Sequence, residues 1–297
     1  MNAATKAASA RLVIHRSIDA IRSARNELFA GKTIGLVPTM GALHKGHASL
    51  IQEARRQNEI VVCSIFVNPT QFAPTDDLQK YPRQLEQDVA LLEELGVDHL
   101  FAPSDPSIMY GPHHVTYVDP EGFDDIPEGQ ARPGHFRGVA TVVTKLFNII
   151  QPTRAYFGQK DAAQCCLMTR MVEDLNMPID VMIMDTIREA SGLAMSSRNA
   201  YLTDEERDAA PVIYKSLCVA RELWKSRKEG SDLSSAELQQ VVLSILQEEP
   251  FVSEIQYVTV DHRATMRPLE RVGEEGAVIS LATKVGSVRL IDNIVLK

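Results

Sequence analysis

K-T-I-G-L-V-P-T-M-G-A-L-H-K-G-H-A-S-L-I, residues 32–51, is the stretch from which the rest of the chain can be read. Residues 33–37 are β-formers and predict a short buried strand. Residues 38–43 carry Pro and Gly and predict a loop, and from Gly46 onward apolar positions take helical spacing. His44 and His47 therefore stand where a strand hands over to a helix. In open α/β sheets ligands bind beyond the carboxyl ends of strands, where helix N-termini offer unpaired N–H groups and positive partial charge to phosphate. Two imidazoles there, helped by backbone N–H groups near Gly46, suit phosphate oxygens. The plainer alternative is a pair of surface or core-satisfied histidines. A metal pair is a third reading, but the HExxH glutamate is absent and no further ligand stands at a telling distance.

Outward from this stretch, strand and helix alternate. Residues 12–14 predict a strand and 17–29 a helix capped by Ser17 and ended by Gly31. Residues 59–67, E-I-V-V-C-S-I-F-V, are nearly all apolar, as in a central parallel strand covered on both faces. A helix is expected over 76–95 and a strand over 99–102. Residues 103–133 dissolve into Gly, Pro, Asp and His apart from a candidate strand at 115–118. An irregular span of that length suggests an active-site wall or lid. A strongly amphipathic helix runs to Ile150, followed by a strand at 154–157, a helix at 162–175 and a strand at 179–186.

The alternation lapses at 186–197. Thr203 and Glu206 form a capping box opening a helix that Pro211 should split, Ser234 and Glu237 open another, and three strands follow near 255–261, 277–283 and 288–295. The expected fold class is α/β, a Rossmann-like doubly wound parallel sheet with a smaller C-terminal α+β domain. The expected boundary divides 1–186 from 187–297.

With 297 residues, 44% of them hydrophobic, the chain can bury a sizeable core without staples. A net charge of −8 with interspersed signs and no basic block gives a nucleic-acid face no support. Cys63, Cys165, Cys166 and Cys218 show neither C-x-x-C pairing nor zinc spacing. Three of them fall in expected core elements, where Cys acts as a small hydrophobe. No apolar run reaches the roughly 18 residues a bilayer requires, so no membrane role is expected and the cytoplasm is the expected compartment. Residues 1–11, acid-free and mildly basic, read as a frayed tail, with an organelle address as the alternative.

Two further segments carry chemistry. Lys160, in F-G-Q-K-D at 157–161, follows a strand end and can reach a β- or γ-phosphate; Asp161 can accept from ribose hydroxyls, and the backbone of Gly158 admits a close approach. An ordinary Lys-Asp surface pair at a helix start is the alternative. Ser196, Ser197 and Arg198, in L-A-M-S-S-R-N at 193–199, offer hydroxyls, N–H groups and a guanidinium, as a mobile phosphate clamp does; a Ser-rich capping turn is the alternative.

The H-K-G-H at 44–47 resembles the HIGH signature of nucleotidyl-transferring α/β enzymes. Together P-T-M-G-A-L-H-K-G-H, S-I-F-V-N-P-T-Q-F (64–72), F-G-Q-K-D and L-A-M-S-S-R-N, in this order, are similar to the pantothenate synthetase family, from about Leu12 onward. Members join pantoate to β-alanine through an acyl adenylate, releasing AMP and pyrophosphate. The resemblance gives ATP and pantoate binding to 1–186 and makes 187–297 a lid. The S-S-R turn is similar to the KMSKS loop of related adenylating enzymes, with Ala194 in place of the leading lysine, as in this family. The resemblance implies catalytic roles for His44, His47, Lys160, Ser196, Ser197 and Arg198. It implies ATP binding by Met40, His47, Gly158, Lys160, Asp161, Ile187, Ser196, Ser197 and Arg198, and pantoate contacts from Met40, Asn68, Gln71 and Gln164. Mg2+ is expected with ATP, its ligands unassigned; Asp88, on a helix, reads as a solvated residue rather than a ligand. A homodimer is implied by the family alone. Arg132, in A-R-P-G-H-F, is a candidate for steering a carboxylate. The rivals are a nucleotidyltransferase with a phosphorylated acceptor, a dehydrogenase, against which the missing G-x-G-x-x-G counts, and a catalytically dead nucleotide-binding module.

Overall fold

The computed structural model describes residues 12–73 and 77–297, so the readings of residues 1–11 and of Asp76 lie outside the described residues. Strands β1 (Val13–His15), β2 (Ile34–Thr39), β3 (Ile60–Ile65), β4 (His99–Phe101), β5 (Arg154–Gly158) and β6 (Asp180–Met184) pair in parallel in the order β1-β4-β3-β2-β5-β6. The helices in this part are α1 (Ile18–Leu28), α2 (Lys45–Gln57), α3 (Leu85–Glu94), α4 (Pro106–Met109), α5 (Pro127–Ala131), α6 (His135–Ile150) and α7 (Ala162–Asp174). One face of the sheet is packed by α1, α6 and α7 through residues such as Ile21, Phe147 and Met168; the other by α2 and α3 through Ile51, Ala54 and Leu92. Apolar burial on both faces explains why β2 and β3 read as unbroken hydrophobic runs.

From β2 the chain moves to β3 and β4 on one side, then crosses to β5 on the other. The order reverses between β2 and β5, the position where open α/β sheets bind ligands. The two strands are bridged only at Gly35↔Arg154 and Leu36↔Ala155, whereas β2 pairs with β3 along its whole length. Pro38 makes this opening tolerable. Ile34 bonds toward Thr153, and Thr33 and Thr39 bond toward β3, so alternation turns the nitrogen of Pro38 toward β5, beyond the last bridge. No ladder hydrogen bond is lost, and the strand runs through the proline to Thr39, two residues past its expected end.

Two other expectations fail for local reasons. Residues 115–118 form no strand, and Val115 is 83% exposed, so its β-propensity has nothing to pack on. The third helix begins at Leu85 rather than at 76, because Pro82 disfavours helical backbone at the residue before it. The α4 and α5 helices inside the irregular span are too short to show a periodicity.

The C-terminal part comprises α8 (Asp204–Ala209), α9 (Val212–Lys225), α10 (Ser235–Gln247), a ribbon of β7 (Leu233–Ser234) with β9 (Arg271–Val272), and an antiparallel sheet of β8 (Val252–Asp261), β10 (Ala277–Val285) and β11 (Val288–Leu296). Pro211 separates α8 from α9 as expected. Leu217, Trp224, Leu238, Val242, Ile279 and Leu290 close a separate core between α9, α10 and one face of this sheet. The other face meets the first part of the chain through an apolar patch of Val278 and Val295 on Ala162 and Cys166, and through polar contacts in which Arg289 and Tyr257 both bond Glu128.

A buried histidine pair joins the outer strands: His15 Nε2 lies 3.0 Å from His99 Nδ1, with Phe29 against the second ring. Burial lowers both pKa values, that of His99 to about 4, aided by the neighbouring His15. A depressed folded-state pKa contributes stability above the unfolded value of about 6.5 that is lost as pH falls toward 4. The thermal midpoint should therefore fall as pH drops from 6.5 to 4.5, and it should fall less steeply in a His15→Leu/His99→Leu variant. Equal slopes for the two proteins in thermal melts would remove the pair as a source of acid lability.

Candidate active site

The mouth between β2 and β5 opens into a cleft with about 1440 Å³ of empty space reaching to solvent. Every residue singled out above for ATP or pantoate lines it: Met40, His44 and His47 after β2; Asn68 and Gln71 after β3; Gly158, Lys160, Asp161 and Gln164 after β5; and Ile187, Ser196, Ser197 and Arg198 from the segment leading to the C-terminal part. Arg132 lines it as well.

The loop before α2 turns sharply, with φ of +84° at Gly41 and +52° at Ala42. The first suits glycine, and the second is held by Asp88. Asp88 is 2% exposed, and its carboxylate accepts from the Ala42 and Leu43 N–H groups at 2.9 and 2.8 Å. The solvated residue expected at 88 is thus a buried loop support. Sequence pattern hid it because its partners are main-chain groups on another element.

The first turn of α2 is capped by the two imidazoles themselves. Gly46 N–H donates to His44 Nδ1 at 3.1 Å and His44 N–H donates to His47 Nδ1 at 3.3 Å, with ring centroids 4.1 Å apart. A backbone N–H only donates, so both Nδ1 atoms are bare and each neutral ring carries its proton on Nε2. The Gly46 amide expected to help hold phosphate is therefore already engaged. Burial, with the Lys160 charge next, pushes the His44 pKa down to about 4; burial, then His44 and Lys160, pushes that of His47 down to about 3. Both rings are neutral donors near pH 7.

Among the described residues the Lys160 ammonium has no bonded partner. Across the cleft, Ser197 donates to the Ala42 carbonyl at 3.1 Å, and Arg198 makes a two-pronged ion pair with Asp77 at 2.9 and 2.7 Å. Burial alone would raise the Asp77 pKa, but the bonds and charge of Arg198 hold it below the usual carboxylate value.

At the other end the floor is apolar, with Phe66, Val139, Val143 and Leu146 around the polar groups. Asn68 is held on both sides of its amide: it donates to Gly138 O at 3.2 Å, and its Oδ1 accepts from the Thr70 hydroxyl at 2.9 Å and from Tyr110 at 2.8 Å. Its Nδ2 also donates to Gln71 Oε1 at 3.0 Å, which leaves Gln71 with its Nε2 donor for the cleft. Asn68 is thereby fully engaged. His135 donates from Nδ1 to Gln71 O at 2.9 Å and accepts from Arg132 on Nε2 at 3.1 Å. Burial and the adjacent Arg132 bring its pKa to about 4. Tyr81, His135 and Asp77 went unnoticed in the sequence; only the polar residues of A-R-P-G-H-F, inside an irregular stretch, gave any hint of one of them.

Gly138 allows α6 to touch the 68–71 segment: a Cβ there would sit 2.4 Å from Thr70 O. Gly138→Ala should push Gln71 out of place and raise the KM of the substrate that Gln71 touches about tenfold, with a smaller change for the substrate at the imidazole end. Equal rises in the two constants would indicate a general loss of packing instead.

Among the described residues no three His, Cys, Asp or Glu side chains converge as a metal cage. The cleft does present two carboxylates, Asp161 and Asp185, which suits an ion that arrives on phosphate oxygens and keeps much of its water.

The pantoate-β-alanine ligase family model matches residues 13–295. A pantothenate synthetase of Chloroflexus aurantiacus is 50% identical over 264 residues, covering 89% of this chain and 92% of the relative. One from Fervidobacterium nodosum is 50% identical over 275 residues, 93% of this chain and 95% of the relative. The crystal structure of pantothenate synthetase from Thermus thermophilus superposes with a TM-score of 0.87 at 43% identity, covering 95% of this chain and 98% of that one. A Francisella tularensis pantoate-β-alanine ligase, solved with β-γ ATP and β-alanine, gives 0.76 at 37% identity, covering 96% and 97%. A family model over nearly the whole chain, relatives at half identity and a matching fold carry one conclusion: this chain belongs to the pantoate–β-alanine ligase family.

Proposed function

We propose that the chain condenses pantoate with β-alanine in two steps within the single cleft at the β2/β5 switch point, and that the residues lining it divide the work by position. The observation that carries this is convergence: the imidazole pair, the lone ammonium and the Ser-Ser-Arg turn, far apart in sequence, line one cavity. In the first step a pantoate carboxylate oxygen attacks the α-phosphorus of ATP, the bond to the β-phosphate oxygen breaks, and pyrophosphate leaves. In the second the unprotonated β-alanine amine attacks the acyl carbon, AMP departs with the C–O electron pair, and the amine proton passes to solvent. No side chain forms a covalent bond to substrate in either step.

His44 and His47 donate Nε2–H bonds to the α-phosphate and the departing pyrophosphate, Lys160 sits at the β- and γ-oxygens, and Ser196, Ser197 and Arg198 close over them once Arg198 exchanges Asp77 for phosphate. Gly158 and Asp161 take the ribose, and Met40 and Ile187 flank the nucleoside. Gln71, aimed by Asn68, and Gln164 read the pantoate hydroxyls and carboxylate without neutralising the nucleophile. Mg2+ comes with ATP as part of the substrate and lowers the charge on the phosphates. Residues 1–186 carry the binding surfaces and 187–297 act as the closing lid, excluding water from the adenylate. The homodimer rests on the resemblance, and the cytoplasmic location on the unpaired cysteines and the lack of a bilayer-length apolar run; a monomer by sedimentation would overturn the first.

The test is incubation with ATP, Mg2+ and pantoate, with and without β-alanine. Pyrophosphate should require pantoate, and free AMP should require both acids. AMP release indifferent to the acids would refute the assignment.

A further inference from the structure

Asn293, on β11, stands outside the main cleft, at a smaller cavity that adjoins it through Lys160, Asp161 and Gln164; it is 3% exposed, and its amide is bonded to the segment that carries Lys160. Its Nδ2 donates to the carbonyls of Gln159 and Lys160, each at 2.8 Å, and its Oδ1 accepts from Gln159 Nε2 at 3.2 Å. The preceding Asp292 is 3% exposed; it accepts from the Asn293 N–H at 2.8 Å and holds Arg188 in a two-pronged ion pair at 2.6 and 2.9 Å. The Arg188 guanidinium lies 3.5 Å over the Tyr214 ring. Two consecutive residues of the C-terminal sheet therefore grip both segments that bring cations or hydroxyls to the phosphate end, the 158–161 turn and the stretch beginning at 187.

We propose that Asn293 is a positioning residue for Lys160, setting from behind the cleft where the ammonium stands. This rests on reading Lys160 as a phosphate ligand. A lysine side chain is long and flexible, and among the described residues nothing holds this one by its tip, so its aim depends on the frame of its own backbone. Past the end of β5 that frame has few other ties. Gln159 N–H donates to Met184 O at 2.7 Å and Asp161 N–H to Gly158 O at 3.2 Å, but these leave the Gln159 and Lys160 carbonyls to Asn293. One planar amide reaching two successive carbonyls fixes both peptide planes that flank Lys160. A rotation of either would swing the ammonium, and small misplacements of a catalytic group lower the rate steeply.

Asn293→Asp keeps the size and shape of the side chain but, when ionised, offers no donor to either carbonyl. It should slow pantoyl-adenylate formation in rapid-quench assays about tenfold while changing the dissociation constant for pantoate less than about threefold. Asn293→Ser, with a single short donor and no buried charge, should lose less, and it serves as the test if the Asp variant fails to fold in a thermal melt. The deciding measurement is a double-mutant cycle. Lys160→Ala alone should slow adenylation about fiftyfold, and adding either Asn293 change to it should cost less than about threefold more, because the residue acts through the ammonium that is gone. A full tenfold further loss in the Lys160→Ala background would show a general structural role and overturn the proposal, as would parental rates for both Asn293 variants. Lys160→Ala with the parental rate would instead remove the phosphate role of Lys160, and the proposal with it.

Discussion

His47→Ala should slow formation of the pantoyl adenylate about 10³-fold and leave pantoate affinity within about threefold of the parent. The size follows from where the ring stands and what it can offer. Its Nδ1 is occupied by the His44 N–H, so Nε2–H is its one free hydrogen-bonding atom, in a site whose burial pushes the imidazole pKa down to about 3. A neutral donor held rigidly by the first turn of a helix gains most as negative charge grows on the α-phosphate and the leaving pyrophosphate, and little in the ground state. Pantoate, which the proposed reading gives to the amides of Gln71 and Gln164, loses nothing it touches. The same geometry forecasts a loss for His44→Ala and a milder one for His47→Gln, whose amide can donate from a similar place. Rapid-quench rates at saturating and at subsaturating pantoate separate the two effects. Matching losses in rate and in pantoate affinity would mean that the ring shapes the whole cleft and has no special part in the transition state.

Much of this was visible in the residues themselves. Apolar runs at 33–37 and 59–67, helical spacing after Gly46 and the change of pattern near 186 are sufficient for a doubly wound sheet with a different C-terminal part, because burial on two faces and amphipathic helices leave direct marks in sequence. Among the groups proposed to face phosphate, His44, His47 and Lys160 are legible for the same reason: they follow strand ends, where the topology must place ligands. What stayed hidden depends on contacts between elements. Asp88 looks like any helix carboxylate, Asn293 like one more residue of a C-terminal strand, and Asp77 like the first turn of the helix expected over 76–95; each acts through partners between 45 and 134 residues away. The strand end at Pro38 was misjudged because only the open side of β2 makes a proline harmless there.

Asp88→Ala should both destabilise the fold and disable the site, a combination His47→Ala lacks. The carboxylate accepts from two successive buried N–H groups, and a third contact from Gln84 Nε2 lies at 3.3 Å. Removing it leaves those amides without acceptors beneath a loop that already holds φ of +84° and +52° at consecutive positions. The loss of charge-assisted bonds to buried donors costs about 3 kcal/mol, read as a lower thermal midpoint. The functional effect follows from what the loop carries. Met40 precedes the turn and His44 follows it, while the Ala42 carbonyl accepts from Ser197 across the cleft, so one relaxed turn displaces groups for the nucleoside, the phosphate and the clamp together. Adenylation should fall about 10²-fold, and pantoate should bind several-fold more weakly, because the pantoate contact proposed for Met40 moves with the loop. This distinguishes loop support from the other role a buried carboxylate near ATP invites. Were Asp88 a ligand for Mg2+, the Ala variant would regain most of its rate at raised Mg2+ and keep its thermal midpoint. Loop support instead requires a Mg2+ dependence like the parent's and a lowered midpoint.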